Sequence, residues 1–467
     1  MTAVSGEQTR RRLRFPDGFV WGAATSAYQI EGAVDAGGRG RSIWDVYAHT
    51  PGRIVNGDHA DVAADHFHRF REDVALMREF GLSAYRFSIA WPRVQPGGRG
   101  PVNEQGLDFY RRLVDALLEA GVEPYPTLFH WDLPQELQDA GGWPARDTAF
   151  RFADYAAIVA GALGDRLGHM MTLNEPWCSA FLGYGLGRHA PGIHDGRQAV
   201  AAAHHLMLGH GLAVRRLREA MPRAELGIVL NLEPHYPVSP DPADVAAARL
   251  SDGMQNRIFL DPLLRGRYPD DVVTHLSGRI DLRFLGDDDL DLISTPIDVL
   301  GVNYYRPATV AARQAPAADW SVWPGDERHE PVPATGDLTS MGWLVAPEAL
   351  EELLLRLGSE YPEVPLVVTE NGAAFDDLVG ADGSVRDDDR IRFLERHLRA
   401  VHRVLDAGVD VRGYFVWSLL DNFEWSEGYA KRFGLVHVDF ATLQRTPKLS
   451  ARWYADVISG NGILDGE

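Results

Sequence analysis

Short apolar runs of strand length recur along the chain, and each is separated from the next by a stretch whose apolar residues fall at helical spacing. The runs are Phe19 to Ala24, Ala84 to Ile89, Pro124 to Phe129, a fourth ending at Glu175, Leu226 to Asn231, Ile297 to Tyr304, a seventh ending at Glu370, and Tyr414 to Ser418. Segments such as Asp65 to Phe80 and Glu104 to Glu119 place charges opposite an apolar face and predict outer helices. Strands alternating with helices predict parallel βαβ units. Eight of them predict an α/β protein built as a single (β/α)8 TIM barrel with long βα loops.

Two of the runs end alike. Pro365-Leu366-Val367-Val368-Thr369-Glu370-Asn371-Gly372 is apolar until it reaches a carboxylate and a turn signal, and Met170-Met171-Thr172-Leu173-Asn174-Glu175-Pro176 has the same construction. One glutamate at a strand end would read as a solvated loop residue. Two with matched surroundings suggest a carboxylate pair. The other strand ends collect Gln29, Arg86, His130 with Trp131, Asn174, Asn231, Asn303 with Tyr305, and Trp417, and Glu424-Trp425 stand in the loop after the eighth strand. Amides, an imidazole, a phenol and carboxylates offer dense hydrogen bonding, while tryptophan faces offer flat apolar platforms, a mixture suited to a sugar. Two carboxylates in such a site supply the acid and the nucleophile or base of glycoside hydrolysis without a cofactor. Their separation decides the stereochemistry, and a sequence does not contain it.

The longest irregular stretch, from about Arg306 to Met341, follows the sixth strand, and an acidic stretch, Asp376 to Asp389, follows the seventh. Both are expected as loops on the rim that carries the glutamates. His204, His205 and His210 lie on an alanine-rich helix without a His-x-x-x-His pair and companion carboxylate, and Asp65, His66 and His68 form no better ligand set. Packing roles are expected for them, and no metal.

Composition narrows the partners. The chain has 467 residues, 45% hydrophobic and 24% charged, ordinary values for a globular protein with a sizeable core. Lys and Arg total 46 against 66 Asp and Glu, a formal charge of -20 that repels phosphate backbones and anionic membrane surfaces. Neither nucleic acid nor a membrane is an expected partner, and no apolar run reaches the roughly 20 residues of a membrane span. The lone cysteine, Cys178, cannot form an internal disulfide, so a cytoplasmic location is expected. Arg10, Arg11, Arg12 and Arg14 precede Phe15-Pro16-Asp17-Gly18 rather than the long apolar segment of an export signal. Residues 1–14 are expected as a flexible tail and 15–467 as the catalytic domain. A homo-oligomer is compatible with this sequence.

Several motifs together resemble the β-glucosidases of glycoside hydrolase family one. They are Thr172-Leu173-Asn174-Glu175-Pro176, Val368-Thr369-Glu370-Asn371-Gly372, Tyr85 to Arg93, Trp417 to Trp425, and the opening Phe19 to Gly32. The resemblance extends from about Phe15 to Tyr454. It implies a retaining, exo-acting β-glycosidase in which Glu175 is the acid/base and Glu370 the nucleophile, supported by Arg86 and Tyr305. It also implies that Asn174 binds the sugar 2-hydroxyl and that Gln29, His130, Trp417, Glu424 and Trp425 bind the glycone. Trp343, Phe433 and Cys178 match positions lining the pocket or the leaving-group side, with packing an equal reading for Cys178. Within the family, a 6-phospho-β-glycosidase is disfavoured because Glu424 would face the phosphate. β-Galactosidase or β-fucosidase activity is a nearer rival. A non-catalytic sugar-binding relative would lack a glutamate, and both are present. A transglycosylase would differ only in what intercepts the intermediate.

Overall fold

Eight parallel strands close on one another in a computed structural model that describes residues 11–313 and 328–465. They are β1 (Val20–Ala24), β2 (Ala84–Ser88), β3 (Glu123–Phe129), β4 (His169–Asn174), β5 (Glu225–Asn231), β6 (Val299–Asn303), β7 (Leu366–Asn371) and β8 (Val411–Trp417). Each pairs with its neighbours in chain order, and β8 returns to β1 with Gly413 opposite Val20 and Trp417 opposite Ala24. The protein is therefore the TIM barrel that the alternation predicts. The helices Glu104–Glu119 and His66–Glu79 match the expected segments to within a residue, and Gly196–Ala220 is a single long helix.

The strands read as continuous apolar runs because both of their faces are buried. Ala24, Ala84, Tyr125, Met171, Val229, Val299, Val367 and Phe415 fill the barrel interior. Their chain neighbours, among them Ala23, Tyr85, Met170, Ile228, Leu300, Val368 and Tyr414, belong to the larger core that includes the outer helices. Gly22 is required by this packing, since a Cβ there would stand 2.3 Å from the Phe415 ring. No helix among the described residues is long and apolar enough to cross a membrane.

The structure corrects two expectations and adds detail to a third. Residues 12–14 are not part of a free tail: Arg12–Arg14 pairs antiparallel with Gly462–Leu464, and the Arg12 guanidinium donates to Asp456 at 2.7 Å and to the Gly462 carbonyl at 2.8 Å. Residues 1–10 of the expected tail lie outside the described residues. The stretch after β6 is not wholly irregular, because Ala308–Ala312 pairs with His329–Val332 on one side and with His235–Pro237 on the other. These strands are only three to five residues long, alanine-rich in Ala308–Ala312 and polar or proline-containing in the other two, so they carry little apolar signal; the intervening 314–327 lies outside the described residues. The acidic stretch runs as the expected loop after β7, with Asp376, Leu378, Val379, Asp388 and Asp389 exposed, while the side chains of Asp377 and Asp387 are buried. Asp377 and Asp387 bind Arg390 at 2.9 and 2.5 Å, and Lys448 joins Asp377 to Asp421, which also holds Arg432.

The three histidines of the long helix go to separate partners. His204 meets Tyr268 and Asp289, His205 the Trp143 carbonyl, and His210 the hydroxyl of Thr172 on β4. His66 pairs with Asp73 and His68 with Asp65.

Candidate active site

Strand irregularities aim both glutamates into the barrel mouth. The β4–β5 register shifts between Met171 and Asn174, and the β6–β7 register shifts between Val368 and Glu370. An extra residue at such a bulge turns the following side chains against the strict two-residue alternation. Glu175 then leaves the end of β4 with φ +46°, its amide donating to the Val229 carbonyl. Beyond Glu370 the chain passes so close to Trp417 that a Cβ on Gly372 would lie 1.8 Å from the Trp417 carbonyl oxygen, which is why glycine follows Glu370-Asn371.

The two buried carboxylates are supported unequally. Glu370 Oε1 accepts from an Arg86 nitrogen at 2.5 Å and Oε2 from the Tyr305 hydroxyl at 2.6 Å. Glu175 Oε1 accepts from the Asn303 amide at 2.7 Å, and the Cys178 thiol lies 3.1 Å from Oε2. Burial raises the Glu370 carboxyl above its usual range, and Arg86 and the Tyr305 hydroxyl pull it back. Burial and then the charge of Glu370 push Glu175 up to about 7, with only neutral donors in direct contact to oppose them. The nearby Asn303 amide also helps to hold the Glu370 carboxyl down.

A chain of fixed amides connects these groups to His130. Asn174 Oδ1 accepts from Arg86 at 2.7 Å and from Asn303 at 3.1 Å, so its Nδ2 is the atom that donates to His130 Nε2 at 3.0 Å. Burial and the nearby Arg86 keep the His130 imidazole well below its usual pKa, hence neutral. Its proton is therefore on Nδ1, which is buried without a partner among the described residues and is available to a ligand.

The remaining predicted residues gather around the same mouth. Gln29, on the short helix Ala27–Ile30, donates to Asn422 at 2.9 Å, to the Phe423 carbonyl at 3.0 Å and to Glu424 at 3.5 Å. It thereby builds the loop that presents Glu424. Burial, followed by the charges of Glu370 and Glu175, pushes Glu424 up to about 8. His130 stacks between Trp417 and Trp425 with centroids 5.9 Å from each, and Trp131, whose indole donates to the Asn174 carbonyl, packs 4.4 Å from Trp425. Tyr305, Trp343 and Phe433 form an aromatic wall with centroids 5.4 to 6.3 Å apart. Asn231 ends β5 opposite Asn303 in register and is partly exposed at the rim.

Sequence reasoning missed three contributors. Thr369 donates to Asn303 Oδ1 at 2.7 Å and so turns the Asn303 amide toward Glu175. Its place next to Glu370 was the available signal. Trp44 and His189 pack against Trp425, Trp44 with centroids 4.5 Å apart and His189 at 6.3 Å. They lie on segments with no strand pattern, and nothing in their local sequence links them to the mouth.

The sequence model described as glycosyl hydrolase family 1 matches residues 11–463. The chain is 52% identical to the thermostable beta-glucosidase B of Thermobispora bispora, over 97% of this chain and 93% of that protein. It is 51% identical to the bifunctional beta-D-glucosidase/beta-D-fucosidase of Bifidobacterium breve, over 95% and 98%. The structure superposes on the beta-glucosidase from Thermotoga maritima in complex with glucoimidazole with a TM-score of 0.92 and 43% identity, covering 97% of this chain and 100% of that one.

Proposed function

The chain belongs to glycosyl hydrolase family 1, and from that premise we propose that it is a retaining, exo-acting β-glucosidase with Glu370 as nucleophile and Glu175 as acid/base. It removes terminal non-reducing β-D-glucosyl residues from cello-oligosaccharides or from aryl and alkyl β-glucosides. The observation that carries the assignment is the unequal support of the two carboxylates. A guanidinium and a phenol favour the ionised form of Glu370, while Glu175, raised to about 7 with neutral neighbours, keeps its proton.

In this reading Glu370 attacks the anomeric carbon while Glu175 passes its proton to the leaving oxygen. Forming the glycosyl ester removes the charge of Glu370, so the Glu175 pKa falls and the carboxylate can accept a proton from water. That water attacks the anomeric carbon and releases Glu370 as a carboxylate. Asn174 is positioned to bind the 2-hydroxyl next to the reacting carbon. His130 Nδ1, Gln29 and Glu424 serve the other hydroxyls, Trp417 and Trp425 the apolar sugar face, and Trp343 and Phe433 the leaving-group side. Trp131, Asn231 and Asn303 complete the lining. No cofactor takes part.

Glu424 supports an unphosphorylated glycone, since the negative charge of Glu175 and Glu370 already disfavours a further charge at this position, and a phosphate would add one. The chain from Arg12 onward acts as one catalytic unit in this reading, since Arg12–Arg14 pairs with Gly462–Leu464. The single buried thiol of Cys178 supports a cytoplasmic location.

Incubation with 2-deoxy-2-fluoro-β-glucosyl fluoride, followed by peptide mass spectrometry, tests the proposal. The fluorine slows both steps and the good leaving group lets the ester accumulate. A label on Glu370 is expected. A label on another residue overturns the assignment. Labelling only by the galactosyl or 6-phospho analogue would change the glycone, and no labelling by any of the three would favour a binding protein.

A further inference from the structure

Three metal-ligating side chains converge away from the two glutamates. His49 closes the helix Ile43–Ala48, and His59 and Asp61 lie in the loop between that helix and His66–Glu79. His49 Nε2 is 3.3 Å and His59 Nδ1 3.2 Å from the same oxygen, Asp61 Oδ2. The two imidazoles stack with centroids 4.9 Å apart and planes 22° apart, and the three donor atoms all lie within 4.8 Å of one another.

We propose that His49 Nε2, His59 Nδ1 and Asp61 Oδ2 form a binding site for a divalent transition-metal cation of the zinc type. Around a tetrahedral zinc with ligands at about 2.0 Å, neighbouring donor atoms stand about 3.3 Å apart, and both nitrogen-to-carboxylate edges here have that length. Two imidazole nitrogens and one carboxylate oxygen select zinc, cobalt, nickel or copper over calcium and magnesium, which prefer oxygen alone. The outer partner of His49 also fits. Its Nδ1 lies 2.8 Å from the Asp45 carbonyl, which only accepts, so that nitrogen carries a proton and the neutral ring turns the Nε2 lone pair toward Asp61. Lone pair against carboxylate is repulsive, and the contact becomes favourable when the ring takes a second proton or a cation sits between them. Both imidazoles are about half exposed, leaving a fourth position open to water.

The site is built into a junction. Asp58 accepts from the Tyr429 amide at 3.0 Å, and the Tyr429 hydroxyl donates to the His59 carbonyl at 3.0 Å. Tyr429 follows the short turn Trp425–Glu427, directly after Glu424. A bound cation fastens the end of the helix Ile43–Ala48 to a loop that already grips the segment after Glu424, and so acts as a stabilising clamp. The ligands escape sequence inspection because they come at spacings of ten and two residues on irregular chain.

The test titrates metal-stripped protein with Zn(II) by calorimetry and with Co(II) by visible absorption. One zinc per chain is expected, with affinity lowered by about tenfold or more in H49Q and in H59Q, and with the intense visible bands of four-coordinate Co(II) lost in both. Zn(II) should raise the thermal midpoint of the parent and not of the H49Q/H59Q double variant. Circular dichroism and turnover of an aryl β-glucoside in the absence of metal should match the parent, showing that the exposed substitutions leave the fold intact. No saturable binding at millimolar cation, or binding unchanged in the double variant, overturns the site. Binding at the site with no rise in midpoint overturns the clamp.

Discussion

The guanidinium of Arg86 lies 2.5 Å from Glu370 Oε1, and both side chains are almost wholly withdrawn from solvent. Each charge is tolerable there only because of the other. R86M should leave the carboxyl buried without its cation, raise its pKa and lower kcat/KM on the order of a thousandfold. In the pH profile the acidic limb should move to higher pH, and R86K should recover part of the loss.

Glu175, pushed up to about 7 by burial and Glu370, places the basic limb of kcat/KM near neutrality, because the acid must keep its proton for the first step. N303A removes a donor that favours the ionised form, so this limb should move to higher pH while kcat falls about tenfold to a hundredfold. T369V leaves Asn303 in place but frees its carbonyl, and a loss of about fivefold or less is expected. A double-mutant cycle of N303A with T369V should show the two losses to be less than additive.

Glu424 gives a stability prediction with a definite sign. Its folded pKa, about 8, lies above that of an unfolded glutamate, so the native state holds a proton that the unfolded chain releases. That contribution is fully present below about pH 4.3 and is lost as pH rises toward about 8. E424Q should therefore gain on the parent across this window, by an amount that grows with pH and is largest near its upper end. Denaturant unfolding at several pH values measures the difference. A constant difference between parent and variant would contradict the assignment of the titrating group.

Gly372 stands against the Trp417 carbonyl, with backbone rather than a flexible side chain in the way. G372A should cost about 3 kcal/mol or more and displace Glu370 and Trp417 together. Its lowered thermal midpoint should accompany a loss of labelling by the fluorosugar.

The barrel was legible because strands buried on both faces announce themselves as uninterrupted apolar runs, and because Glu175 and Glu370 interrupt such runs with a carboxylate and a turn residue. Their direction was less so. Plain alternation from Met171 would give Leu173 the inward place, and only the register shift turns Asn174 toward Arg86. Side chains that act across long chain separations were hidden for a different reason. Trp44 and His189 meet Trp425 from opposite parts of the sequence, and the pairing of Arg12–Arg14 with Gly462–Leu464 spans almost the whole chain. The strands Ala308–Ala312 and His329–Val332 were missed because the first is mostly alanine and the second combines His, Glu and Pro, so neither shows an apolar run. That Asp377 and Asp387 hold Arg390 was not legible, because charge in sequence does not distinguish a solvated acid from one in a buried ion pair.

The antiparallel pair that joins Arg12–Arg14 to Gly462–Leu464 continues to a hydrogen bond from the Asp465 amide to the Arg11 carbonyl at 2.8 Å. Residues 11 and 465 are thus neighbours, and topologically the barrel is nearly a ring. A short peptide bridge between those two residues, with new ends opened in an exposed connection such as the one around Leu378, would preserve the cyclic order of all eight strands. The fold is therefore suited to circular permutation, with its catalytic strand ends carried intact into the rearranged chain.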